Sequence, residues 1–157
     1  MRKAIMIALL CVASTATTAS ADQGVGVGLF VGEPLGLDLK LGLGFRSNLD
    51  IVIGWDTYRD GRDAYGHVTY LATLGVAHGQ AVSVPFRLGI GAAIYDDGSF
   101  NNGTNFAVRA PLEIGLKFHG APIELYGEVA LMLTLIDANN NNNDVDLQGG
   151  IGFRVYF

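Results

Sequence analysis

The stretch Leu35-Gly36-Leu37-Asp38-Leu39-Lys40-Leu41-Gly42-Leu43-Gly44-Phe45 decides the fold. Every odd position is apolar and every even one is glycine or a charge. A helix gathers apolar residues at spacings of three and four, whereas a strand turns successive side chains to opposite faces. The period here is two, so this segment is a strand with one oily face and one small or charged face.

The same alternation recurs along the chain. Val84, Phe86, Leu88, Ile90, Ala92 and Ile94 oppose Ser83, Pro85, Arg87, Gly89, Gly91, Ala93 and Tyr95. Val108, Ala110, Leu112, Ile114, Leu116 and Phe118 oppose Ala107, Arg109, Pro111, Glu113, Gly115, Lys117 and His119. Ile151, Phe153, Val155 and Phe157 oppose Gly150, Gly152, Arg154 and Tyr156, and shorter versions cover 25–31, 49–55 and 68–76. Segment 123–136 also fits a helical stripe through Leu125, Val129, Met132 and Ile136. Gly127 and the alternate run Val129, Leu131, Leu133, Leu135 decide for a strand. The pattern predicts eight strands, near 24–31, 35–45, 48–56, 67–77, 82–95, 105–118, 122–135 and 146–157.

The connections take turns along the chain. Arg46-Ser47, His78-Gly79-Gln80 and Gly120-Ala121 are tight, while 57–66, 96–104 and 137–144 are longer polar loops; Gly32-Glu33-Pro34 is short but falls at the loop end. An even strand number with one tight end and one looped end matches an outer-membrane barrel. The expected fold class is all-β: an eight-stranded antiparallel up-and-down transmembrane β-barrel.

Composition agrees. With 22 glycines in 157 residues, only 16% charged residues and a mean hydropathy of +0.33, the chain departs from the usual soluble domain, which carries about 25% charged residues. Yet no stretch suits a spanning helix of about 20 apolar residues. The apolar block Ala4–Ala13, led by Arg2 and Lys3 and closed by Ala19-Ser20-Ala21, reads as a secretory signal over 1–21, leaving one barrel domain over 22–157. Cys11 lies within the apolar block without the small residue before it that a lipid anchor uses. The mature chain then has no cysteine, hence no disulfide, thiolate metal site or thiol nucleophile. The net charge of −5 and the lack of clustered Lys and Arg argue against nucleic acid.

A soluble lipocalin-like barrel would put the apolar face inward. Glycine argues the reverse. Gly42, Gly44, Gly54, Gly75, Gly89, Gly91, Gly115 and Gly152 share the charged face, and the interior of an eight-stranded barrel has room only for its own side chains. Bulky residues would overfill it, so they are expected against lipid. The inner face then carries Asp38, Asp50, Glu113, Glu124 and Glu128 with Lys40, Arg87, Arg109, Lys117 and Arg154. Five acids and five bases permit a paired network, since buried charge is tolerated when paired. A closed plug is favoured over an ion-lined conduit. Trp55, Tyr58, Tyr70 and Tyr95 near strand ends suit aromatic girdles.

The closing Ile151, Phe153, Val155 and Phe157 look like the signal that the barrel-assembly machinery reads on outer-membrane clients. Partners implied are outer-membrane lipids and, during biogenesis, that machinery and periplasmic chaperones, with the barrel a monomer.

Several local patterns in order resemble a family of small bacterial outer-membrane barrel proteins. They are Val31-Gly32-Glu33-Pro34-Leu35-Gly36, the stretch Asp50 to Trp55, His67-Val68-Thr69-Tyr70-Leu71 and Val84 to Gly91. Arg109-Ala110-Pro111-Leu112, Ala121 to Leu125 with Glu128-Val129-Ala130, and Gly150 to Phe157 complete the set. Leu35 stands where the family usually has Thr. The resemblance implies an eight-stranded barrel of OmpA/OmpX type and supplies no catalytic residues.

Chemistry is thinly represented. Acyl transfer needs a nucleophile within reach of a base. His78 and His119 fall at tight turns and are expected to be solvent-facing. His67 is expected at the base of a loop, with Asp56 and Asp63 near in sequence and Ser99 its best serine partner. The tract Asp137-Ala138-Asn139-Asn140-Asn141-Asn142-Asn143-Asp144-Val145-Asp146 is oxygen-rich, as Ca²⁺ prefers, but reads as a low-complexity loop. Arg59, Asp60, Arg62 and Asp63 read as a self-compensating charge cluster. No catalytic residue, cofactor or metal site is assigned. The expected role is structural or surface-interactive, with an outer-membrane lipid-modifying enzyme or a narrow solute pore as alternatives.

Overall fold

The computed structural model describes residues 24–55, 64–96, 103–136 and 144–157. The three longer loops, with Tyr58, Ser99, Asp56, Asp63 and most of the Asn tract, lie outside them, as does the expected signal segment. Eight antiparallel strands close into an up-and-down barrel: β1 Val25–Gly32, β2 Leu35–Gly44, β3 Ser47–Trp55, β4 Ala64–His78, β5 Val82–Asp96, β6 Thr104–Phe118, β7 Ile123–Ile136 and β8 Val145–Tyr156. Each strand pairs with the next, and β1 pairs with β8. Closure leaves no strand edge unpaired. The described ends meet at the tight-turn end, where Val25 N donates to Phe157 O and Phe157 N to Val25 O, at 3.4 and 2.9 Å.

The faces are inverted relative to a soluble barrel. Arg87, Arg109, Arg154, Lys40, Asp38, Asp50, Glu113 and Glu124 are at most 1% exposed. Large apolar side chains stand outward on every strand: Leu29, Leu37, Ile53, Leu74, Ile90, Leu112, Leu131 and Ile151, one from each, are all about half exposed or more. The same period of two that defines each strand therefore sorts charge inward and hydrocarbon outward.

Three bulges among the described residues change which residues face where; the one on β7, opposite Phe106 and Ala107, turns Ile136 outward beside Leu135. Pairing also slips between Gly42 and Gly44 on β2 and between Thr73 and Gly75 on β4. A bulge adds one residue to one strand, and all side chains beyond it change faces. Gly44 consequently pairs with Ser47, and Gly75 with the outward Phe86, so both face outward rather than into the lumen as strict alternation implies. Phe45 leaves the apolar stripe of β2 altogether; it sits in the turn with Arg46 and is 84% exposed. Arg46 takes a left-handed conformation at φ 68°.

The inner glycines answer to space. A Cβ at Gly152 would lie 2.1 Å from Cζ of Tyr126, and one at Gly28 would lie 1.7 Å from the Phe153 carbonyl oxygen. Strand β1 gives the lumen Gly26, Gly28 and Phe30 and no charge, so the side chains of β8 and β7 can cross over it.

Candidate functional site

The barrel interior holds a dense assembly of buried charged side chains. The ladder registers stack it in layers. Lys40 pairs with Asp50, Arg87 with Glu113, Glu113 with Glu128, and Glu124 with Arg154, each pair sharing the inward face of neighbouring strands.

Arg154 is the cationic hub. Its Nε donates to Asp38 Oδ2 at 2.6 Å, Nη1 to Glu113 Oε2 at 2.8 Å and Nη2 to Asp50 Oδ1 at 2.8 Å. The guanidinium lies 3.5 Å from the centroid of the Tyr126 ring, and Tyr126 in turn donates its hydroxyl to Asp38 Oδ2 at 2.5 Å. Only a planar fork can reach three carboxylates from three strands and stack on an aromatic face at once. Glu113 is the anionic hub: its Oε1 accepts from Lys40 Nζ at 2.9 Å and from Arg87 Nη1, while Oε2 takes Arg154. Arg87 Nη1 also reaches Glu124 Oε1 at 2.7 Å, and Tyr156 donates to Glu124 Oε2. Arg109 sits one layer towards the loops, donating to Glu128 Oε1 at 2.5 Å and to Thr69 Oγ1 at 3.3 Å.

Of the ten charges that alternation assigns to this face, Lys117 alone is not buried. It lies near the rim, with its ammonium 5.3 Å from the Tyr156 ring centroid. The network also contains residues that charge counting does not find. Tyr126 and Tyr156 supply hydroxyls to it, and Asn48, Thr73 and Gln148 are buried on the same face. Their signal was parity: Tyr126 falls midway between Glu124 and Glu128, and Tyr156 two residues after Arg154.

Towards the loops the lumen narrows to Tyr65, Ala93, Tyr95, Ala107 and Met132. Tyr65 and Tyr95 stack at 6.1 Å between centroids, donating or sharing hydroxyl bonds with Gln148 Oε1 and Thr134 Oγ1, both at 2.8 Å. Tyr95 is therefore a core residue and not part of an outer girdle, because inward parity continues to the end of β5. Trp55 and Tyr70 do face outward. His67 is likewise not at a loop base. Strand β4 begins at Ala64, which carries His67 into the lumen, 3% exposed, edge-on to Tyr65 and with neither ring nitrogen hydrogen-bonded.

Asp50, Glu113 and Glu128 bring carboxylate oxygens within 4.8 Å of one another, close enough to share a cation. Each is already bound by the protein's own cations, Asp50 by Arg154, Glu113 by Lys40, Arg87 and Arg154, and Glu128 by Arg109. A dication there would face four buried positive side chains. The arrangement is chemically a cross-brace: it ties β2, β3, β5, β6, β7 and β8 together through the middle of the barrel.

The class this defines is a closed eight-stranded β-barrel with an ionic core and an apolar exterior. Comparison with family models, curated proteins and solved structures returns no match.

Proposed function

We propose that this chain is an integral outer-membrane β-barrel protein, of the small-barrel family its local patterns resemble, with a non-catalytic structural or surface-interacting role. The observation that carries the reading is the inversion of faces. A soluble monomer rarely exposes an apolar patch beyond about 300–600 Å², whereas here half-exposed Leu, Ile, Val and Phe encircle all eight strands. Hydrocarbon surrounding the barrel removes that cost, and the closed ladder satisfies the backbone polar groups that hydrocarbon cannot. The cross-braced lumen supports a plug in preference to a conduit. The outward Ile151 and Phe153 of β8 are available to the assembly machinery.

Trp55, the single tryptophan, stands outward and 57% exposed. Refolded into vesicles whose lipids carry brominated acyl chains, the protein should show quenched Trp55 emission and a gel mobility that differs between unboiled and boiled samples. A chain that stays monodisperse without detergent, with emission indifferent to brominated vesicles, returns the lipocalin-like alternative. Conductance steps in a planar bilayer would replace the plug by a pore, and a lipid A acyl pattern altered on gene deletion would replace the structural role by an enzymatic one.

A further inference from the structure

We infer that His78 and His119, converging on Ser83 at the tight-turn mouth of the barrel, bind a single divalent transition-metal ion of the Cu²⁺ or Zn²⁺ kind. The ladder brings them together. His78 pairs with Ser83 across the β4–β5 turn, and Ser83 pairs with Lys117 of β6, whose own partner is the buried Glu124. Side chains opposite one another in a ladder share a face, so His78 and Ser83 stand on the lumen side of the rim. His119 follows β6 directly and is drawn back by its N–H, which donates to Ala81 O at 3.0 Å.

Hydrogen-bond direction defines the ring states. His119 Nδ1 lies 3.2 Å from the Gln80 carbonyl oxygen. A carbonyl can only accept, so Nδ1 carries a proton, and in the neutral ring that leaves a lone pair on Nε2. That lone pair faces Ser83 Oγ at 2.7 Å, which makes the serine the donor there, and leaves Oγ to accept from His78 Nδ1 at 3.2 Å. A ring whose other nitrogen donates to a backbone carbonyl is the usual arrangement of a metal-ligating histidine, since the bond holds the tautomer and the ring orientation. His119 is thus preset as an Nε2 ligand.

The geometry lies within reach of coordination. Both nitrogens touch one hydroxyl, so they are at most about 6 Å apart, and a tetrahedral ion with bonds near 2.0–2.1 Å needs roughly 3.3 Å between them. His119 is held by Gln80, but His78 is exposed, so its ring can rotate to close that gap, and water replaces its lost serine bond at small net cost. His78 must then present Nδ1 unprotonated, which a tautomer exchange with solvent supplies. Imidazoles suit Zn²⁺, Cu²⁺ and Ni²⁺, with Cu²⁺ bound most tightly. Ser83 Oγ and water complete an open coordination sphere. Lys117, opposite Ser83 in the ladder, shares this face and sets a repulsion that the two imidazoles overcome. Where the chain spans the outer membrane as proposed, this mouth opens to the periplasm, but the metal site does not depend on that reading.

The test uses tag-free full-length protein, stripped with EDTA in detergent and titrated with ZnCl₂ by calorimetry and with CuCl₂ by electron paramagnetic resonance. One equivalent should bind, with hyperfine coupling from two nitrogens in the copper spectrum. His78→Ala and His119→Ala should each weaken binding at least tenfold, and His67→Leu should leave it unchanged. Heat-shifted gel mobility checks that every variant is folded. Binding that survives loss of both histidines, or no binding by the folded protein, overturns the proposal. Covalent labelling of Ser83 by a fluorophosphonate, dependent on His119 and without metal uptake, overturns it too, and makes the cluster a nucleophile with its base.

Discussion

Replacing Arg154 by Met tests the ionic core at its centre. The side chain makes three charge-assisted hydrogen bonds, to Asp38, Glu113 and Asp50, and stacks on Tyr126. Such bonds contribute about 1.5–3 kcal/mol each, but they do not add, because the partners are unequally dependent on Arg154. Glu113 keeps Lys40 and Arg87, and Asp38 keeps the Tyr126 hydroxyl. Asp50 loses its direct partner: its salt bridge among the described residues is to Arg154, and its ladder neighbour Lys40 is bonded to Glu113 instead. Stranding a buried charge in this way costs about 3–5 kcal/mol, so Arg154→Met should destabilise the barrel by about 4 kcal/mol. Adding Asp50→Asn removes the stranded charge and should restore about half of that loss. Arg154→Lys keeps the charge but not the fork, and an ammonium cannot serve three carboxylates on three strands; a loss of about 2 kcal/mol is expected. Urea unfolding in detergent micelles, followed by Trp55 emission and by gel mobility, measures all three. A loss below about 1 kcal/mol for Arg154→Met, or no rescue by Asp50→Asn, refutes the account of the lumen as a brace of buried, mutually dependent pairs.

The remaining predictions concern the two faces. Val129, outward and 54% exposed in the middle of β7, should tolerate Arg within about 0.5 kcal/mol if water surrounds the barrel, but lose about 2–4 kcal/mol in vesicles if hydrocarbon does; urea titration of the vesicle-embedded variant decides. His67 is buried with no hydrogen bond on either nitrogen, so His67→Leu should cost less than about 1 kcal/mol or stabilise. A loss of 2 kcal/mol or more in the same titration would show that the imidazole is bonded to something in the lumen.

Fold and site differed in how far they could be read along the chain. Strand order, strand ends to within a few residues and the inward set of charges follow from a period of two, because a pleated backbone leaves a side chain only two directions. Segment 123–136, which fits both periods, is a strand paired with β6 and β8, and its Glu124 and Glu128 meet Arg87, Arg154 and Arg109 in the lumen. Position within a face was harder. Parity placed Lys117 with the other charges, but could not show that it falls at the rim, where depth along the barrel axis is set by register.

The alternation of Leu35–Phe45 and its seven counterparts determined by itself that this chain forms strands with one charged and one apolar face, since that pattern is local and repeats at each residue pair. Only the tertiary structure decided the rest. The bulges at Gly42/Gly44 and Thr73/Gly75 turned two glycines outward. The start of β4 carried His67 into the lumen, and closure of β1 on β8 brought Arg154 to Asp38 and Asp50, more than a hundred residues away in sequence. The meeting of His78, Ser83 and His119 belongs with these. Each is a matter of register and closure, and register is settled by pairing between strands, which no single strand contains.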